Sequence, residues 1–388
     1  MRWLRRLGLL IAFLLVLAAV AGWDGLTGSD PAEETAPTTT VAAPGRVPTP
    51  IAGGATDPRI VCARELPPRQ QFGQLLAIAV NGQAPDLEAQ RVARLGIGTV
   101  FLQSLSPDQP IQRIQALKDA SAIPPLVAVD EEGGAVQDLR DVLGPFPSQE
   151  RMAATTDPAG ARAQVLSHAQ SMATLGIDVA FAPVVDVLPG DGRDPLGDSR
   201  TFGDDPARVT EYGGAYVDAF VEAGILPTLK HFPGHGNTTG DSHLGRVSAP
   251  PLSQLRERDL VPYDTLLDRE VAVMVGHMIV PDVTIFGASS LSTGILQDLL
   301  RDEYGFDGLI FTDSLSMGAV TGEGPPEELA FQALRAGADV ALFATLPDPG
   351  RVLDRLVRGL QNGALDADRV ATSVARVLDV KDIDPCTL

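Results

Sequence analysis

Residues 225–243 read ILPTLKHFPGHGNTTGDSH. The stretch opens on an apolar run, Ile225–Leu229, too short for a helix, which reads as a strand buried on both faces. At Lys230 its character changes. A lysine, three histidines (His231, His235, His243) and Asp241 follow within fourteen residues, among three glycines and Pro233. That composition makes a long, bendable loop. A buried strand that ends in a loop dense with polar side chains is the unit from which the active face of an α/β barrel is built.

The same unit recurs. Short apolar runs lie at Leu75–Val80, Thr99–Leu102, Leu126–Val129, Val179–Ala182, Val271–Val275, Leu309–Thr312 and Val340–Phe343. Between them are amphipathic stretches such as Ile111–Ser121, Ala159–Leu175, Ala207–Glu222 and Pro326–Ala336. Eight strands alternating with helices over about 320 residues predict a (β/α)8 TIM-type barrel and one catalytic domain. An open doubly wound sheet is the alternative, but no glycine-rich dinucleotide fingerprint follows the first run. The barrel requires polar residues just past the strand ends. Asp130, Asp186, Lys230, His231, His277 and Asp313 occupy such positions, and only His168 of the five histidines falls in a helical stretch.

Thirty basic against fifty acidic side chains give a net charge of −20, which argues against a nucleic-acid partner and against docking on anionic lipid by charge alone. Both tryptophans, Trp3 and Trp23, precede the barrel. Whatever the folded body binds is therefore not gripped by tryptophan.

Three domain segments follow. Residues 1–22 carry Arg2, Arg5 and Arg6 ahead of an uncharged apolar stretch, the layout of a secretory signal cleaved after Ala21 or of an uncleaved anchor. Cleavage would take the net charge from −20 to −23. No cysteine lies near that site, which argues against a lipid-anchored form. Residues 23–58, rich in Pro, Thr and Ala, read as an extended tether, and 59–388 as the catalytic domain. Cys62 and Cys386 flank the globular part; in an oxidising compartment they could pair, or they could remain two free thiols.

The loop after Leu229 allows two chemistries. A metal site would need His and Asp ligands converging from rigid positions, and no HExxH or cysteine-rich spacing accompanies them. An acid/base pair needs only a carboxylate that orients an imidazole, and Asp241-Ser242-His243 has that spacing. Asp313, at the end of an apolar run, stands where barrel active sites are built; read alone it serves equally well as a helix N-cap.

KHFPGHGNTTGDSH, together with GFDGLIFTDSLSMGA at Gly305–Ala319, resembles the single-domain β-N-acetylglucosaminidase branch of glycoside hydrolase family 3, the NagZ type. DEEGG at Asp130–Gly134, SRTFGDDP at Ser199–Pro206 and AGAD at Ala336–Asp339 match it in the same order, and the likeness spans Leu66 to Lys381. The resemblance implies a retaining exo-glycosidase. Asp313 matches the nucleophile and His243 the general acid/base, with Asp241 as its partner. Lys230, His231, Asp130 and Arg200 match sugar-binding residues. His235, Asp186 and His277 match supporting positions, where a plain hydrogen-bonding role serves as well. The implied substrate is a terminal β-linked N-acetylglucosamine of cell-wall fragments; no cofactor and no metal dependence are expected.

The chain departs from the family pattern at Ala135 and Asp138, where the family carries arginines, and more mildly at Asn237 and Ser314. Arg140 is the nearest residue that could compensate. These departures leave open another glycone or a barrel that binds wall glycan without cutting it, and a histidine as acid/base leaves open phosphorolysis in place of hydrolysis.

Overall fold

A computed structural model describes residues 56–197, 199–284 and 287–388. The signal or anchor expected over 1–22 and most of the tether over 23–58 lie outside the described residues. Eight parallel strands form the body: β1 (Leu76–Asn81), β2 (Thr99–Gln103), β3 (Leu126–Val129), β4 (Val179–Ala180), β5 (Leu226–Phe232), β6 (Ala272–Val275), β7 (Ile310–Thr312) and β8 (Ala341–Phe343). They pair in chain order, and β8 returns to pair with β1. The bridge Phe311↔Val340 joins β7 to β8 and closes the ring. The protein is a (β/α)8 barrel, as the alternation of runs predicts.

A helix follows each strand, and the chain marks several starts in one way. Asp57, Asp157, Asp205 and Asp348 each cap a helix through the side chain, and each is followed by proline at the first helical position. The carboxylate satisfies an orphan N–H, and proline loses no bond there because an N–H at that position would have no intrahelical acceptor. Inside the barrel Phe181 touches both Phe101 and Phe311, with ring centroids 5.6 and 5.4 Å apart. These residues belong to non-neighbouring strands or their extensions, so the rings meet across the interior and plug it. Full burial of each contributes roughly 1.5–3 kcal/mol.

β4 is shorter than the run Val179–Ala182. Pro183 has no N–H for the ladder, and pairing resumes only at the bridge Val184↔Lys230. β5 is longer than expected. It extends through Lys230 and His231 to Phe232, with a bulge between Lys230 and Phe232 where it pairs with β6. A bulge breaks the strict alternation of side chains, which lets two consecutive residues of β5 serve one site.

Cys62, in the helix Pro58–Glu65 that packs on the helix Ala367–Val380, is joined to Cys386 by a disulfide, Cα to Cα 5.0 Å. The bond fastens the start of the domain to its end. No helix among the described residues is long and apolar enough to cross a membrane.

Candidate active site

The polar residues beyond the strand ends converge at the C-terminal mouth. Lys230, 2% exposed, sits between two carboxylates, its Nζ 2.6 Å from Asp130 and 2.5 Å from Glu132. Arg200 binds the same Glu132 bidentately, Nε and one terminal nitrogen each donating at 2.8 Å. Burial favours the neutral form of Glu132, but the charges of Lys230 and Arg200 outweigh it and hold its carboxyl at about 2. Burial likewise works against the Lys230 cation, yet Asp130 and Glu132 keep its pKa raised. Glu132 is the hub of this network, and the reading of DEEGG assigned it no role. The signal was present: residues two apart along an extended chain share a side, so Asp130 and Glu132 point one way. Glu131 between them points another, to His168 Nε2 at 2.8 Å and to the Leu139 N–H.

A second cluster gathers around Asp186, which is fully buried. Its carboxylate accepts from His231 Nδ1 at 2.7 Å and from the backbone N–H of His235 at 2.6 Å. Burial alone would raise its pKa; His231 and His235 bring it below the ordinary value. The pairing fixes the His231 tautomer with Nδ1 protonated. Gly236 lets the loop settle here, since a Cβ would stand 2.3 Å from the carbonyl oxygen of Val187.

His235 is buried, with Nε2 2.9 Å from Ser242 Oγ and Nδ1 3.2 Å from Thr238 Oγ1. Burial and the neighbouring His231 push its pKa down to about 4, so it is neutral at physiological pH. His277 donates from Nε2 to the carbonyl of Ser314 at 2.8 Å and meets Ser290 Oγ through Nδ1 at 2.7 Å. Burial lowers its pKa as well.

Asp313 follows β7 and is 9% exposed. Its Oδ1 accepts from the N–H of the next residue, Ser314, at 2.7 Å. Turns, not a helix, follow it, so the helix N-cap reading falls. Burial favours its neutral form, but His277, His231, the Ser314 N–H and His243 together hold the carboxyl at about 2. Ser314 Oγ accepts from Ala344 N–H at 2.9 Å and ties this turn to the end of β8.

On the loop, His243 Nδ1 lies 2.7 Å from Asp241 Oδ1, and the His243 backbone N–H donates to the same oxygen at 2.9 Å. The imidazole is half exposed, and Nε2 makes no hydrogen bond among the described residues. Burial of Asp241 opposes ionisation, while the two bonds from His243 lower its pKa overall.

Two departures from the family pattern have structural consequences. Asp138 turns inward to accept the N–H groups of Asp130 at 2.8 Å and Ser104 at 3.3 Å. Burial and the charge of Asp130 raise its pKa to about 7. Arg140 does not compensate for the missing arginines: its exposed guanidinium binds the carbonyl of Gly134, in the turn between the short antiparallel strands Glu131–Gly133 and Val136–Gln137. Ala135 is exposed.

A closed (β/α)8 barrel that gathers carboxylates and an oriented imidazole at its C-terminal mouth has the layout of a barrel enzyme, whose active site is built on that face. The family model described as "Glycosyl hydrolase family 3 N terminal domain" matches residues 69–380. The chain belongs to that family and is a glycoside hydrolase acting on carbohydrate. It is 39% identical over 393 residues to the beta-hexosaminidase LpqI of Mycobacterium tuberculosis, covering 98% of each chain. A family 3 glycosyl hydrolase from Mycobacterium smegmatis is 40% identical, with a TM-score of 0.77 over 82% of this chain and 98% of that one. A family 3 β-N-acetylglucosaminidase from Paenibacillus is 30% identical, with a TM-score of 0.77 over 83% of this chain and 64% of that one.

Proposed function

We propose that the chain is a retaining exo-β-N-acetylglucosaminidase. The observation that carries this reading is a buried Asp313 carboxylate kept ionised at the end of β7, within electrostatic reach of the Asp241-oriented imidazole of His243. Asp313 attacks the anomeric carbon while His243 Nε2–H protonates the departing glycosidic oxygen, giving a covalent glycosyl-enzyme. Neutral His243 then takes a proton from water, which attacks the same carbon and releases the sugar with its original configuration. The histidine does the work of the second carboxylate of most glycosidases. Lys230, Asp130, His231 and Arg200 form the sugar-gripping wall. Asp186 orients His231 from behind, His277 holds the turn after Asp313 through the Ser314 carbonyl, and His235 supports the loop through Ser242. The N-acetylglucosamine glycone follows from the resemblance and from relatives named beta-hexosaminidases.

The domain plan completes the reading. Residues 1–22 export the chain as a cleaved signal or an uncleaved anchor, 23–58 form an extended linker, and 59–388 act outside the cytoplasm on cell-wall glycan fragments. Turnover of an aryl N-acetyl-β-glucosaminide tests the central claim, with the configuration of the first-formed sugar read by NMR. No turnover by the wild type, full activity in Asp313→Ala, or an inverted product would sink it.

Phosphorolysis is a second reading, favoured by an imidazole as acid/base: it leaves less negative charge near an incoming anion than a carboxylate would. Release of sugar phosphate in place of free sugar in phosphate buffer would select it.

A further inference from the structure

The loop carrying Asp241 and His243 is seated on the segment that follows Asp313. The Gly318 N–H donates to the carbonyl of His243 at 3.3 Å, and the Ala319 N–H donates to that of Ser242 at 3.2 Å. The approach is close enough to exclude a side chain. A Cβ at residue 318 would stand 2.8 Å from His243 O, 3.1 Å from Leu244 C and 3.2 Å from Leu244 O, all backbone atoms of the loop. Conformation does not demand glycine here, because Gly318 is not among the glycines with positive φ. Core packing does not demand it either, because Gly318 is exposed. What excludes a side chain is the loop.

The two partners differ in firmness. The seat is anchored to the barrel: Leu315 N–H bonds to the carbonyl of Leu342 in β8, and the Met317 N–H closes a turn on Ser314. The loop is the exposed partner at His243 and at Leu244, which is 86% exposed, whereas Ser242 is buried and held by His235. A side chain forced between them therefore displaces the loop, and the imidazole with it.

We propose that Gly318 is a positioning residue for the acid/base step: its bare backbone lets residues 242–244 sit low enough for His243 to reach the glycosidic oxygen. One short segment thereby places both reacting groups, Asp313 at its start and His243 through the two backbone bonds. The inference rests on His243 being the acid/base.

The test compares two leaving groups in the full chain. Departure of phenolate from a phenyl N-acetyl-β-glucosaminide needs a proton, whereas 2,4-dinitrophenolate leaves without one. The quantity read is kcat/KM, which reports the glycosylation step. A shift of about 1 Å in a catalytic group costs roughly 100-fold, so Gly318→Ala should lose about 10- to 100-fold on the phenyl glycoside and under about 3-fold on the dinitrophenyl one. Turnover of the dinitrophenyl substrate also reports that the barrel has folded. Equal losses on both substrates, or none on either, would overturn the proposal. His243→Ala, run alongside, must show the same selectivity. Without it the acid/base assignment falls and this inference with it, whereas selectivity in His243→Ala alone rejects only the role of Gly318.

Discussion

Asp241 accepts two hydrogen bonds from one residue: His243 donates to its Oδ1 through both Nδ1, at 2.7 Å, and the backbone N–H, at 2.9 Å. The carboxylate therefore fixes the tautomer, the ring plane and the local backbone together. Removing it should disorder the proton donor while leaving the barrel intact, because a half-exposed pair contributes under about 1 kcal/mol to folding. Asp241→Ala is expected to lower kcat/KM on a phenyl glycoside by roughly 100-fold with little change in Tm. A fall of several degrees in Tm alongside the loss would assign Asp241 a structural role instead.

The contrast between this pair and the Glu132 network explains what the sequence could disclose. Asp241 and His243 are two residues apart, so their contact follows from the chain itself. Glu132, Arg200 and Lys230 are brought together by three different strand ends, and Arg200 lies 68 residues beyond Glu132. Nothing local encodes that meeting. The strands were legible because buried runs such as Leu126–Val129 have all four residues inside. The bulge that extends β5 through Lys230 and His231 was not, because it depends on register with β6. Gly318 was invisible for a related reason: its neighbour is a loop more than seventy residues earlier in the chain.

Glu132 is 1% exposed and compensates two buried cations. Glu132→Gln would leave Arg200 with a neutral partner and Lys230 with Asp130 alone, and breaking a buried pair in this way typically costs about 3–5 kcal/mol. Thermal unfolding at neutral pH should show the loss. The sign with pH follows from the lowered pKa: wild-type stabilisation by this carboxylate is present above its ordinary 4.5 and is lost as pH falls toward about 2. The Tm gap between wild type and variant should therefore narrow below pH 4.5. A gap independent of pH would contradict the ionic account.

Asp138 carries the opposite sign. Its pKa is raised from 3.8 to about 7, so the folded state binds a proton that the unfolded chain releases earlier. Stability from this group is present below 3.8 and is lost as pH rises through about 7, with a slope of at most about 1.4 kcal/mol per pH unit. Asp138→Asn removes the titration. Its stability relative to wild type should rise as pH increases across that window, although the amide retains only one oxygen for the two N–H groups now served. Parallel unfolding curves across the window would place the Asp138 carboxyl in an ordinary environment.

The Cys62–Cys386 disulfide should separate stability from catalysis. It spans 324 residues of sequence, and its neighbours are the helices Pro58–Glu65 and Ala367–Val380 and the turn Pro385–Thr387, none of which carries a residue of the proposed site. Cross-linking distant residues stabilises chiefly by restricting the unfolded chain, typically by about 2–4 kcal/mol. The Cys62→Ser, Cys386→Ser double variant should unfold at lower denaturant concentration than the wild type. Its kcat/KM at 25 °C should stay within about two-fold, because the barrel mouth is built from strand ends that the bond does not touch. A large loss of activity without a shift in the unfolding midpoint would mean that the fastening of the two ends reaches the site.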